Sequence, residues 1–265
     1  MAYKYLKIEH DKHIATVIFN RPEKLNTLNV GLMSEIITAV REFNNDEQTR
    51  VVIFTGQGKN FSCGVDLTDE ELMNGMSSGT KLKRTKFLKQ GPLLIREIYE
   101  MSQITIAAVN GAALGGGACI AAACDFRVGA DTCRIGYPEI NLGMNLSWRA
   151  LPLCVSLLGP SRAKQMVILG KHEKAETLLG WGFIDAVVPE KELLSSAKKM
   201  AEEYASKPPL AAQMIKQSVN AISSALNQSI MHMDADQYLL TTETKDFREG
   251  VQAFFEKRKP EFKGD

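Results

Sequence analysis

Two rhythms of apolar and polar residues run along this chain. From Met1 to Asn20 the alternation has a period of two, which predicts a strand pair over Tyr3 to Glu9 and Ile14 to Phe19, with His10 and His13 at the surface beside the turn. Further strands are predicted at Val51 to Thr55, Thr105 to Val109 and Phe126 to Gly129. Gly31 to Phe43 instead places Leu32, Ile36, Ala39, Val40 and Phe43 on one side of a helix. Strands separated by helices imply an α/β chain with a mostly parallel sheet and crossover helices. Beyond Lys191 the pattern is helical, broken at Pro208-Pro209, so the expected organisation is a core over 1–189 and a helical part over 190–265. Leu72 to Thr80, LMNGMSSGT, mixes Met, Gly and Ser between helical patterns and is read as a loop, either a mobile lid or an ordinary connection.

The stretch from Ile104 to Val128 interrupts this pattern with chemistry. A β-branched run stops at Asn110-Gly111, Gly115 to Gly117 follow, and small residues continue at helical spacing to Cys124-Asp125. Glycines at such a strand–turn–helix junction permit positive φ and let backbone N–H groups face an anion, or else simply allow tight helix packing. A second glycine turn, Phe61 to Leu67 (FSCGVDL), leaves the strand at Val51 to Thr55. Two turns of this kind can each direct one N–H at a single oxygen, the arrangement that stabilises an oxyanion.

Composition narrows the setting. The 265 residues are 45% hydrophobic, enough for a large core, and the formal net charge is +1. That balance offers no general attraction to nucleic acid or to a membrane surface. Five cysteines at irregular spacing without CxxC point to reduced thiols and a cytoplasmic setting, not to disulfides or zinc. The sequence shows no transmembrane span, and its first twenty residues read as strands, not as a signal peptide.

The ordered motifs NRPEKLNTL (Asn20 to Leu28), FSCGVDL, VNGAALGGG (Val109 to Gly117), RIGYPEINLG (Arg134 to Gly143) and QAFFEKRKPEF (Gln252 to Phe262) resemble the enoyl-CoA hydratase/isomerase, or crotonase, superfamily nearly end to end. The resemblance implies a crotonase-like spiral of ββα repeats with a C-terminal helical extension. It implies an acyl-CoA thioester substrate, with the main-chain N–H groups of Val65 and Gly116 as the oxyanion donors. It also implies Lys24, Leu25, Phe254 and Lys257 beside CoA, the last two often supplied by a neighbouring subunit, and a homotrimer or dimer of trimers. By the same resemblance Met73 and Met76 border the acyl pocket. No metal or redox cofactor is implied, since CoA arrives as part of the substrate.

Two positions depart from the hydratase pattern. Hydratases carry one glutamate where this chain has Cys119 and a second where it has Glu139, and the pair holds the attacking water. A thiol is a weak hydrogen-bond partner with a reference pKa of about 8.5, so Cys119 is a poor substitute for a carboxylate. The glycine-rich stretch that follows in hydratases is here Met144 to Pro152, with Trp148 in its middle. Isomerases of the superfamily similarly keep one glutamate and an aromatic after it, so the sequence favours Δ3,Δ2-enoyl-CoA isomerisation with Glu139 as the single base. A hydratase, decarboxylase, thioester hydrolase or non-catalytic acyl-CoA binder stays open, and an RNA-binding role is disfavoured by the charge. From the residues alone, Glu139 could instead cap a turn or pair with Arg134 or Arg149, and Cys119 could be a small buried hydrophobe. The histidines, including His172 and His232, fall outside the motifs. Two basic clusters are candidates to meet CoA phosphates: Lys81 to Lys89 reads as a solvated helix face, and in Lys257 to Lys259 the resemblance implies that Lys257 contacts phosphate.

Overall fold

The computed structural model describes residues 3–231 and 233–265; Met1, Ala2 and His232 lie outside the described residues. Its chain runs β1 (Leu6–Asp11), β2 (Ile14–Phe19), α1 (Val30–Asn44), β3 (Val51–Gly56), α2 (Glu70–Ser77), α3 (Lys81–Leu88), α4 (Gln90–Tyr99), β4 (Ile104–Val109), β5 (Ala112–Leu114), α5 (Gly116–Ala123), β6 (Phe126–Ala130) and β7 (Arg134–Gly136). It continues through α6 (Ala150–Leu169), β8 (Glu173–Lys174), α7 (Ala175–Trp181), β9 (Ala186–Val188), α8 (Leu193–Ala205), α9 (Pro209–Ser223), α10 (Gln228–Met231), α11 (Asp234–Thr242) and α12 (Lys245–Glu256).

A six-stranded sheet has the order β1-β2-β3-β4-β6-β9, antiparallel at β1/β2 and parallel elsewhere. Strands β2, β3 and β4 are buried along their whole length, which is why they read as unbroken apolar runs. A small second sheet, β5-β7-β8, stands beside it. The units β4–β5–α5 and β6–β7–α6 each give their first strand to the large sheet and their second to the small one. This is the spiral of ββα repeats. After β3 the same path is reduced to two isolated bridges, Ser62 with Ala113 and Leu28 with Val65.

Three sequence expectations change. The first strand begins at Leu6, not Tyr3, because the N–H groups of Lys4 and Tyr5 donate to the Glu35 carboxylate on α1 (2.9 and 2.7 Å) instead of to a strand. The turn then falls at Lys12, in the left-handed region at φ 53°, and His10 belongs to the strand. The expected loop over Leu72 to Thr80 is largely helix: Asp69 caps α2 by accepting from the Leu72 N–H, and Leu72 is buried. Within this helix Gly75 makes room for Phe87, whose ring would lie 2.4 Å from a Cβ there.

Past Pro189 the chain is helical, yet α8 is part of the core. Its Leu193, Ala197, Ala201 and Ala205 join the cluster that backs β2, β3, β4 and β6. The later helices are joined to this body by buried polar contacts, among them Lys216 of α9, whose Nζ lies 2.7 Å from both Asp125 Oδ2 and Gln103 O. Among the described residues, no helix is long and apolar enough to cross a membrane.

Candidate active site

Two glycine turns meet at one cavity. The Ser62 N–H donates to Ala112 O (3.0 Å) and the Leu114 N–H to Ser62 O (2.9 Å), so the segment after β3 is fastened along β5. On its other side the Leu28 N–H donates to Gly64 O (2.7 Å) and the Asp66 N–H to Leu28 O (3.0 Å). These pairings engage the groups on both sides of Val65 and leave its own N–H unused. Gly64 has φ 86°, and a Cβ on it would stand 2.8 Å from Leu114 O and 3.6 Å from Gly116 N. Only glycine lets the two turns approach this closely. Gly116 is the first residue of α5, where helical N–H groups have no partner within the helix. Among the described residues, neither the Val65 nor the Gly116 N–H finds a hydrogen-bond acceptor, and both residues line a cavity of about 640 Å³.

The register of the small sheet brings a carboxylate to the same place. Leu114 pairs with Gly136, the Gly115 N–H donates to Gly136 O (2.9 Å), and the chain then turns through Pro138–Leu142. Glu139 stands in that turn. The residue is half-buried, but its Oε2 is shut off from solvent and has no hydrogen-bond partner among the described residues. Burial pushes its carboxyl up to about 7, against a small opposing pull from its own backbone N–H. Neither Arg134 nor Arg149 pairs with it; Arg134 instead donates to Thr132 O and Cys133 O.

Cys119 lies one turn into α5, where its N–H donates to Gly115 O at 2.9 Å. The thiol is buried against the cavity, and burial first, then the charge of Glu139, holds its pKa well above the ordinary value. It is a neutral, apolar lining group.

Two further carboxylates reach the cavity wall, and both are occupied. Asp66 meets Arg21 at 3.0 Å and accepts from the N–H and hydroxyl of Thr68. Burial pushes its carboxyl up, but Thr68 and Arg21 outweigh that and leave it below the usual range. Asp234, at the start of α11, accepts from the N–H groups of Trp148 (Oδ2, 2.9 Å) and Arg149 (Oδ1, 3.2 Å). Burial raises its pKa despite those two donors.

The enoyl-CoA hydratase/isomerase family model matches residues 9–265 of this chain. The chain belongs to that family. It is 34% identical over 263 residues to the crotonyl-CoA hydratase of Syntrophomonas wolfei, covering 99% of both chains. To the 1,2-epoxyphenylacetyl-CoA isomerase of Escherichia coli it is 29% identical over 255 residues, covering 96% of each. The crystal structure of an enoyl-CoA hydratase from Mycobacterium avium subsp. paratuberculosis superposes with a TM-score of 0.87 at 26% identity, covering 99% of this chain and 100% of that one.

As a member of the enoyl-CoA hydratase/isomerase family the chain is an acyl-CoA enzyme, and the residues expected beside CoA can be located. Leu25, left-handed at φ 53° and half exposed, lines the cavity. Lys24 is exposed and outside the lining. Phe254 and the unanticipated Phe255 line the cavity of their own chain, because α12 packs on the Glu139 turn: a Cβ on Gly250 would stand 2.6 Å from the Leu142 carbonyl carbon. Phe254 therefore reaches the site without a neighbouring subunit. Lys257 caps α12 in the left-handed region, exposed and away from the lining. Its neighbour Arg258 is taken by Glu249 and Glu256 at 2.5 and 2.6 Å. In the other cluster, Lys81 and Arg84 both hold Glu243 at 3.0 Å. Of the two methionines expected at the acyl pocket, Met76 lines the cavity and Met73 packs on the core.

The sequence singled out Trp148, but neither Asp234 nor the hydrogen bond between the two residues was anticipated. They lie 86 residues apart, and no local pattern links them.

Proposed function

We propose that this protein is a Δ3,Δ2-enoyl-CoA isomerase in which Glu139 is the only base. The observation that carries this reading is the state of the three cavity carboxylates. Asp66 and Asp234 are held by partners, and among the described residues Glu139 is the one of the three that keeps a buried, unpartnered oxygen. In this reading the thioester oxygen of a 3-enoyl-CoA accepts from the N–H groups of Val65 and Gly116, which raises the acidity of C2. Glu139 takes the C2 proton, and the electron pair moves into a dienolate whose oxygen the two donors stabilise by about 3 to 4 kcal/mol each. The protonated Glu139 returns the proton to C4, leaving the C2–C3 double bond. A carboxyl near pKa 7 suits both halves of the transfer. Water has no role in it, and the buried thiol of Cys119 with the indole of Trp148 keeps the wall beside Glu139 apolar.

Hydration is the second reading, favoured by the printed name of the Syntrophomonas relative, a crotonyl-CoA hydratase. It would require water to be activated by Glu139 without a second free carboxylate. NMR of a 3-enoyl-CoA in D2O with wild type and Glu139→Gln separates the two. Deuterium entering the acyl chain as the double bond moves, lost in the variant, supports isomerisation. Unchanged 3-enoyl-CoA, with 3-hydroxyacyl-CoA formed from a 2-enoyl-CoA, overturns it for hydration.

We also infer a homotrimer or dimer of trimers. Leu210, Met214, Ile215, Val219 and Ile222 leave one helix, α9, largely apolar on its exposed surface. A fully active monomer in sizing chromatography would remove this assembly.

A further inference from the structure

Trp148 and Arg149 are consecutive residues in the left-handed region, with φ of 63° and 58°. For side chains with a Cβ this conformation is strained, so neighbouring groups must hold it. Within the segment the only closure among the described residues is one long hydrogen bond, Ala150 N–H to Ser147 O at 3.3 Å, which leaves the N–H groups of Trp148 and Arg149 themselves unused. The two successive N–H groups converge instead on one carboxylate, Asp234, and engage both of its oxygens. Successive N–H groups gathered on an anion form a stable concavity. Asp234 itself is set by α11, whose first turn it opens.

The indole that this arrangement fixes is wedged between two glycines. A Cβ on Gly91 of α4 would lie 2.1 Å from Trp148 Cε2, and one on Gly116 would lie 2.8 Å from Trp148 Cζ3. The ring thus abuts the residue whose N–H faces the thioester oxygen in the reading above, and it forms the cavity wall next to that point. An acyl chain leaving the thioester carbonyl has to pass along the indole.

We propose that Asp234 is a positioning residue: by clamping the Trp148 and Arg149 N–H groups it holds the indole against Gly116, and the wall so formed selects straight acyl chains over chains branched near the thioester. The selectivity part rests on the acyl-CoA reading of this cavity; the clamping part does not. Because both Asp234 oxygens are already engaged, its role is geometric and not that of a second base.

Asp234→Asn is nearly isosteric but turns an amide N–H toward one of the two donors, which breaks half of the clamp. Two measurements test it in a Trp181→Phe background, where Trp148 is the remaining tryptophan. The first is the emission of Trp148, expected to shift to the red as the indole is released. The second is calorimetric binding of butanoyl-CoA and isovaleryl-CoA, neither of which can be isomerised. Wild type is expected to favour the straight chain, and the ratio to fall about tenfold in the variant, the size of one lost hydrogen bond to a charged group. An unchanged emission maximum together with an unchanged ratio overturns the proposal. If neither thioester binds wild type, the acyl-CoA reading fails and the selectivity claim with it, and the emission still decides the clamp. Should Asp234→Asn not fold, Asp234→Glu, which keeps the charge but moves the carboxylate by one methylene, is read by the same two measurements.

Discussion

Glu139 Oε1 occupies the space that a side chain on Gly115 would need, 2.8 Å from the position of its Cβ. The glycine at the end of β5 and the carboxylate in the turn after β7 are therefore one structural unit, joined by the Gly115 N–H to Gly136 O hydrogen bond. Gly115 also has φ 51°, so two independent reasons exclude a side chain there.

Gly115→Ala is expected to push the Glu139 carboxylate aside while costing about 1–3 kcal/mol in backbone strain. Turnover should fall by about a hundredfold or more, since a base displaced by an ångström loses its near-attack geometry. Urea denaturation alongside kcat separates the two effects. Turnover within a few-fold of wild type would show that the carboxylate does not need its present position.

The raised carboxyl of Glu139 has consequences for both rate and stability. In the proposed role of base it must be ionised, so kcat/KM for 3-enoyl-CoA is expected to rise with pH through about 7 and then level off. Folding shows the opposite dependence. Between the unfolded pKa near 4.5 and the folded value near 7, the unfolded chain ionises first, so Glu139 lowers stability as pH rises across that window. Glu139→Gln removes this penalty and should stabilise the protein by about 2–3 kcal/mol at pH 8 and hardly at all at pH 4. Parallel urea curves at the two pH values check it.

Cys119 is a packing residue in this reading. Cys119→Ala should leave isomerisation within a few-fold of wild type and cost about 1 kcal/mol, as for loss of a small buried group. A thiol with 1% exposure and a pKa pushed up by burial should also resist alkylation in the folded state, as mass spectrometry of iodoacetamide-treated protein would reveal. Loss of turnover in the alanine variant would return a chemical role to the thiol.

Asp125→Ala tests how the helical arm is attached. It would strand the buried Lys216 ammonium, which now lies 2.7 Å from Asp125 Oδ2. Removing one member of a buried pair typically costs about 3–5 kcal/mol, whereas Lys216→Met, which removes the charge, should cost less. Denaturant midpoints of the two variants decide the order.

Strands β2 and β3 were legible in the chain because each is a short apolar run, and they fall within a residue of their expected positions; α1 shows its buried face through Leu32, Ile36, Val40 and Phe43, whereas the short β5, β7, β8 and β9 were not predicted. The start of β1 was not legible, since the alternation of Tyr3 to Tyr5 cannot reveal that Glu35 takes the N–H groups of Lys4 and Tyr5. Nor was α2, where Met, Gly and Ser suggested a loop and an Asp69 cap with a buried Leu72 outweighed weak helix propensity.

By itself the sequence determined which groups are available: the two glycine turns, one carboxylate in the Pro-Glu position, a thiol where a second carboxylate stands in hydratases, and an order of motifs that specifies the fold. The glycines, the carboxylate and the thiol are local features of the chain, whereas the comparison with hydratases and the fold came through resemblance to the family. Tertiary structure decided what state the groups are in. Burial raised Glu139, Arg21 and Thr68 occupied Asp66, and Asp234 came from the last helices to clamp Trp148. Such outcomes depend on desolvation and on contacts between residues far apart in the chain, which no window of sequence contains.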